Sequence, residues 1–338
     1  MPNPHCAMQE TTPGADCALS VRGLSHVYAG GRVALDGVSF DVRAGEVFGV
    51  LGPNGGGKTT LFKVMATLIK PTGTGAGCVH VFGRDVVREA AAVRAMMGVV
   101  FQHPSLDDKL TARENMLHHG HLYAMRGREL AEAIEMGLGR FGLAARADER
   151  VERFSGGMRR RVELAKAMLH RPRVLVMDEP ATGLDPAARR ELWDAIATLR
   201  AETGVTVVLT THLMDEAARC DRLAILSQGR LVALDTPAAL TGRIGGDVVQ
   251  LELAGDNGEV AGVAGEIGAR FGPWAEGGEP TVVTGNVIRC ERPDGAALVA
   301  QLSQAYGERV TRMSVGRPTL EDVFVHLTGE ALDGGEGG

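Results

Sequence analysis

The residues best placed to do chemistry lie in the run Val47-Phe48-Gly49-Val50-Leu51-Gly52-Pro53-Asn54-Gly55-Gly56-Gly57-Lys58-Thr59-Thr60-Leu61. An apolar strand enters a glycine-rich turn and leaves it through Lys-Thr at the head of a helix that runs to about Leu68, the context in which a G-x-x-x-x-G-K-S/T pattern has meaning. Successive glycines let main-chain N–H groups curl inward without Cβ clashes, and the helix start behind them adds unpaired donors and a positive dipole end. A polyphosphate is the natural guest. On this pattern Gly52, Pro53, Asn54, Gly55, Gly56 and Gly57 form the cradle, Lys58 reaches the β and γ phosphates, the Thr59 hydroxyl ligates Mg²⁺ and Thr60 adds a phosphate contact.

Other chemistry-bearing residues sit at the ends of predicted elements. Val174-Leu175-Val176-Met177-Asp178-Glu179 is an unbroken apolar run ending in two carboxylates, as expected of a parallel strand buried on both faces. Ligands in such sheets collect at the carboxyl ends of the strands. A second buried strand, Val205 to Thr210, ends in Thr211-His212, and a third, Gly98 to Phe101, ends at Gln102. Ser155-Gly156-Gly157 opens a helix with a hydroxyl N-cap, which serves either an anion or capping alone. Asp185-Pro186 opens another, an N-cap with proline at the first helical position, predicted to reach about Ala201. Tyr28, two residues before Gly30-Gly31, is either a half-buried strand tyrosine or a ring exposed to stack on a purine base.

These positions need a scaffold, and the chain is long enough to build one. Its 338 residues accommodate one large α/β domain and a small appendage, and a 44% hydrophobic content fills a core for both. A formal net charge of −6 lacks the basic footprint of phosphate-backbone binders, so nucleic acid is not an expected partner. Cys6, Cys17, Cys78, Cys220 and Cys290 are odd in number and widely spaced, which suits free thiols. No apolar run approaches the length of a membrane span, and the opening residues lack the basic and apolar regions of a signal peptide. A cytosolic protein is expected.

In order, the pattern predicts a flexible tail over 1–17, antiparallel strands from Ala18 to Val42, a linker from Pro71 to Gly77, a hairpin around Val79 to Phe82 and a helix from about Asp85 to Met97. A helical region follows over about 111–170, opened by the capping box Thr111-Ala112-Arg113-Glu114. Leu130, Ala133, Ile134, Leu138 and Phe141 recur there at helical spacing, as a core-facing stripe does. Leu223 to Leu226 and Leu231 to Leu234 flank Ser227-Gln228-Gly229 as a hairpin. The composition shifts near Arg243 to Asp247, predicting a boundary between a domain at 18–243 and a small α+β unit at 247–330. Strands are expected at Val248 to Leu253, Thr281 to Cys290 and Arg309 to Val315. A last helix carries Leu320, Val323, Phe324 and Leu327 on one face, and the tail 331–338 is expected to be disordered.

The order of these features, from Tyr28 to about Leu234, resembles that of the ATP-binding-cassette ATPases. The resemblance implies an α/β P-loop NTPase cassette, with a mixed-sheet core, an antiparallel β subdomain and a helical subdomain, followed by the small α+β domain. It implies that Tyr28 stacks on the base and Asp178 organises Mg²⁺. Glu179 becomes the general base for the attacking water, Gln102 the glutamine that touches Mg²⁺ and that water, and His212 the switch histidine at the γ-phosphate. Ser155, Gly156 and Gly157 resemble the signature that completes the ATP site of a second subunit, and Asp185 the residue linking the two sites. Met158 stands where glutamine is commonest, and Gly56 where alanine or serine is; neither change removes a phosphate-binding group. The stretches Phe154-Ser155-Gly156-Gly157-Met158-Arg159-Arg160-Arg161, Ser105 to Asn115 and Pro318-Thr319-Leu320-Glu321-Asp322-Val323-Phe324 look like the daunorubicin-resistance type of exporter ATPase.

An exporter subunit hydrolysing ATP with Mg²⁺ is therefore expected. It would sit on the cytoplasmic face of the membrane against separate permease chains, pair head to tail with a second copy when ATP is bound, and power efflux of a drug-like or lipid-like compound. The alternatives are a cassette ATPase without transport and a nucleotide-dependent regulatory switch. Glu179 speaks against the switch, which has no use for a base beside the γ-phosphate.

Overall fold

A strand that is apolar at every residue has to be covered on both sides, and that requirement organises the larger part of the chain. The computed structural model describes residues 16–329 except 74, 245, 255, 256, 272–280, 284, 285, 293 and 308. The tail expected over 1–17 lies outside these residues apart from its last two, and Cys17 already belongs to the first strand; the tail 331–338 lies wholly outside them.

The chain opens with β1 (Cys17–Val27), β2 (Val33–Arg43), β3 (Val47–Leu51), α1 (Lys58–Met65), β4 (Cys78–Val81), β5 (Arg84–Asp85), α2 (Ala90–Ala95) and β6 (Met97–Val100). The expected helix from Asp85 shrinks to α2. Asp85 instead pairs with His80, and its carboxylate accepts from the N–H groups of Val87 and Arg88, which fixes a turn where the helix would have started. The helical region comprises α3 (Ala112–Leu122), α4 (Gly127–Arg140) and α5 (Gly156–Ala167), with the Thr111–Glu114 capping box formed. Then come β7 (Val174–Asp178), α6 (Pro186–Thr203), β8 (Thr206–Thr211), α7 (Met214–Ala217), β9 (Arg222–Ser227), β10 (Arg230–Asp235) and α8 (Pro237–Thr241).

The central sheet has the order β10-β9-β3-β8-β7-β6, parallel throughout except for the β9–β10 hairpin. Alternation along its strands divides the core. Leu175 and Met177 of β7 and Val207 and Leu209 of β8 face α5, α6 and the helical subdomain. Val174, Val176 and Val208 face α1 and the antiparallel sheet β2-β1-β4-β5. The central sheet thus lies between two layers, which is why β7 is apolar until Asp178 and β8 is apolar between Thr206 at its start and Thr210 at its end.

Beyond the cassette, β11 (Asp247–Leu253), α9 (Asn257–Phe271), β12 (Thr281–Val283), β13 (Val287–Arg292), α10 (Gly295–Tyr306) and β14 (Val310–Gly316) build a small unit on the sheet β12-β13-β11-β14. The strand expected from Thr281 to Cys290 is a hairpin, with Val283 opposite Val287 and the Asn286 side chain donating to the Leu253 carbonyl at 2.7 Å. The last helix, α11 (Leu320–Thr328), departs from the expected domain plan. Leu320, Val323 and Phe324 pack with Leu51 of β3, Leu223 and Ile225 of β9 and Leu240 of α8, with Val248 of β11 in the same cluster, so its apolar face is shared between the cassette and the edge of the small unit. A buried Arg289–Asp322 ion pair ties β13 to the start of that helix.

Candidate active site

β3 is central in the sheet, and its carboxyl end releases the chain into the glycine turn. Gly57 sits at φ 104°, and a Cβ there would lie 2.6 Å from the Ala34 carbonyl oxygen, so both the backbone angle and the space require glycine. A Cβ on Gly52 would meet the Leu226 carbonyl oxygen at 2.4 Å, which holds the root of the turn tight against β9. Gly56 donates its N–H to the Pro53 carbonyl at 3.1 Å. Lys58, at the head of α1, folds back over the turn and donates to the carbonyls of Gly52 (2.8 Å) and Pro53 (3.0 Å).

Glu179 is the point at which the other strands converge. Its carboxylate lies 3.2 Å from the Lys58 amine, accepts from the Gln102 carboxamide at 3.2 Å and from the Thr182 hydroxyl at 3.3 Å, and stands 3.1 Å from His212 Nδ1. The histidine contact is close enough for an ion pair but lacks hydrogen-bond alignment. Gln102 arrives from the end of β6, Glu179 from β7 and His212 from β8, so register in a parallel sheet brings together residues far apart in sequence. Glu179 holds a left-handed backbone, φ 44°, unusual for a residue with a Cβ. Its N–H is pinned by the Thr210 carbonyl at 3.1 Å and the Thr210 hydroxyl at 3.0 Å.

Thr210 also donates its hydroxyl to Asp178 at 2.6 Å. Burial pushes the Asp178 carboxyl above its ordinary value, while the hydrogen bonds from Thr210 and Thr59 work the other way. Burial likewise lowers the Lys58 amine, against the opposing pull of Glu179 and Asp178. Thr59 and Asp178 therefore form an all-oxygen pair that suits a hard divalent cation, with the Gln102 side chain nearby through Glu179.

A cleft of about 260 Å³ opens over this cluster, lined by Tyr28, Pro53, Asn54, Gly55, Gly57, Lys58, Thr59, Thr60, Gln102 and Glu179. Tyr28 is half-buried at its mouth, with its hydroxyl 3.2 Å from that of Thr60 and the Arg32 guanidinium 5.3 Å from its ring centre. A larger cavity, about 530 Å³, lies at the amino ends of β7 and β8 beside Arg173 and Thr206, and none of the sequence-predicted site residues lines it. Position at the carboxyl ends of the strands decides between the two in favour of the smaller cleft.

Ser155, Gly156 and Gly157 do not line that cleft. The Ser155 hydroxyl accepts from the Met158 N–H at 3.3 Å, and the two glycines lie against Leu184 and Ala188 at the start of α6. Asp185 caps α6 by accepting from Ala187 and Ala188, both at 2.9 Å, and those bonds hold its carboxyl below the ordinary range. Sequence reasoning missed Thr210 as a site residue; the signal was a hydroxyl directly after the apolar run Val207-Val208-Leu209, at the carboxyl end of the strand.

The fold and the cleft define a phosphate-loop nucleoside triphosphatase. The family model described as "ABC transporter" matches residues 35–182. The chain is 38% identical to a daunorubicin resistance ATP-binding protein, DrrA3, of Streptomyces coeruleorubidus, across 94% of this chain and 97% of that protein. It is 39% identical to a Nod factor export ATP-binding protein I of Sinorhizobium fredii, across 94% and 88%. Among solved structures it is similar to CbiO1 of Clostridium perfringens, part of the ABC transporter complex CbiONQ, with a TM-score of 0.61 and 25% identity over 75% of this chain and 96% of that one. The chain belongs to the ATP-binding subunits of the ABC transporter family, and it is an ATPase of that class.

Proposed function

We propose that this chain hydrolyses ATP with Mg²⁺ at the cleft over Glu179 and that the energy drives export through separate membrane proteins. The observation that carries the proposal is the convergence on one carboxylate of Lys58, Gln102 and His212, from three different elements, beside the glycine turn. In this reading Tyr28 stacks on the adenine and the N–H groups of residues 52–57 hold the phosphates. Lys58 leaves Glu179 for the β and γ phosphates. The Glu179 carboxylate then takes a proton from the attacking water while the water oxygen bonds to the γ-phosphorus. The bond to the β–γ bridging oxygen breaks, and ADP leaves with that electron pair. Asp178, Thr59 and Gln102 would hold Mg²⁺, which neutralises charge on the phosphates. Gln102 and His212 keep the water and the γ-phosphate in line.

Among the described residues no helix is long and apolar enough to cross a membrane. Membrane spans in partner chains, and a peripheral position against them, fit that observation and the export named for the Nod factor relative. A drug-like or lipid-like cargo is the class in keeping with the two relatives. Lys58→Ala should abolish phosphate release from Mg-ATP and weaken nucleotide binding, because the phosphates lose their main countercharge. Turnover at the wild-type rate in the folded variant would remove the glycine turn from the mechanism.

A further inference from the structure

The segment that follows Gln102 is fastened to α5 by a buried ionic cluster. Arg160, Glu163 and Lys166 lie on one face of that helix at spacings of three, and all three are buried. Arg160 donates to the carbonyls of Phe101 (2.6 Å) and Gln102 (2.9 Å) and to one oxygen of Glu163 (2.8 Å). The other Glu163 oxygen accepts the N–H of Ser105 at 2.6 Å and its hydroxyl at 3.1 Å. Lys166 completes the circle, donating to the Ser105 carbonyl at 2.9 Å and hydroxyl at 2.6 Å. Every group facing the Glu163 carboxylate is a donor. The backbone of Phe101, Gln102 and Ser105 is thus held at both ends by one helix, the helix that Ser155 caps at its start.

We infer that Glu163 is a positioning residue for ATP hydrolysis: through Arg160, Ser105 and Lys166 it locks the Gln102 backbone to α5, so that the position of this helix sets the Gln102 carboxamide against Glu179. The inference rests on the assignment of Gln102 and Glu179 to the ATP site. A short rigid tether is the physical basis. Phe101 and Gln102 cannot shift relative to α5 without stripping partners from charges that are out of water, which is costly. A displacement of α5 therefore arrives at the Gln102–Glu179 contact undiminished. A surface ion pair could not transmit it, because solvent replaces lost partners there at little cost.

The test is a double-mutant cycle on the full-length chain, reading steady-state ATP turnover, nucleotide affinity with a fluorescent ATP analogue, and the thermal unfolding midpoint. In Glu163→Gln the new NH₂ must face either the Ser105 N–H or the Arg160 guanidinium, both donors. Its kcat should fall about 10- to 100-fold, as displaced catalytic groups produce, with nucleotide affinity within about twofold of wild type. The double variant Glu163→Gln/Gln102→Ala should be no slower than Gln102→Ala alone, since Glu163 acts only through Gln102. A purely structural role moves stability and leaves the two effects multiplicative. Ser105→Ala, on an exposed residue, serves the same cycle if Glu163→Gln does not fold. Effects that multiply, or unchanged kcat in a folded variant, overturn the inference. Glu179→Gln at the wild-type rate would instead fault the site assignment beneath it.

Discussion

At the scale of single residues, the site depends on carboxylates and an amine held in place by neutral hydroxyls. Thr210 serves two neighbours at once, donating to Asp178 and accepting from the N–H of the left-handed Glu179. Thr210→Val keeps the shape and removes both bonds. We expect kcat about tenfold lower, as misplacement of catalytic groups produces, at a stability cost of about 1 kcal/mol, with nucleotide affinity preserved. Stopped-flow phosphate release beside an ATP titration checks it, and an unchanged kcat would release Thr210 from any role. Lys58, Asp178, Glu179, Gln102 and His212 were legible in the sequence because each ends or begins an element whose apolar pattern is plain. The 3.2 Å contact of Lys58 with Glu179 was not, since pattern fixes a residue's place on a strand but not the partner it meets across the sheet.

At the scale of elements, legibility followed burial. β7 and β8 read as strands because both faces are covered, whereas α2 came out shorter than expected because a side-chain turn at Asp85 outcompeted the helix. The stripe on α11 announced burial without naming its partners, which are β3, β9 and α8 together with Val248 of β11. The helical subdomain carries a pH-sensitive element of its own. His119 packs at 5.1 Å from the Tyr123 ring and 6.3 Å from that of His170. Burial, aided by Lys166 and His170, lowers its pKa from 6.5 to about 4. Between those values the unfolded chain binds a proton that the folded chain does not, so stability rises with pH through this window and falls on acidification. Urea unfolding of wild type and His119→Leu at pH 7.5 and pH 4 should show wild type losing on the order of 1–3 kcal/mol more than the variant. Parallel losses would place the acid sensitivity elsewhere.

At the scale of the molecule, two helix starts suited to phosphate are present in one chain, yet only α1 opens on the cleft. The start of α5, capped by Ser155, rests against α6 instead. We propose that a second copy placed head to tail completes the site, its Ser155, Gly156 and Gly157 closing over the γ-phosphate and Asp185 at the seam. With hydrolysis blocked, ATP should hold that dimer. Light scattering after size exclusion should find Glu179→Gln dimeric in saturating Mg-ATP and Glu179→Gln/Ser155→Arg monomeric; a double variant as dimeric as the single one would exclude Ser155 from the interface. The account as a whole stands on Glu179 as the base. The most direct measurement is phosphate release by Glu179→Gln, which keeps the shape and removes the proton acceptor, beside its affinity for ATP. Turnover should fall by roughly 10² to 10⁴ with ATP binding retained; wild-type turnover in that variant would contradict the mechanism.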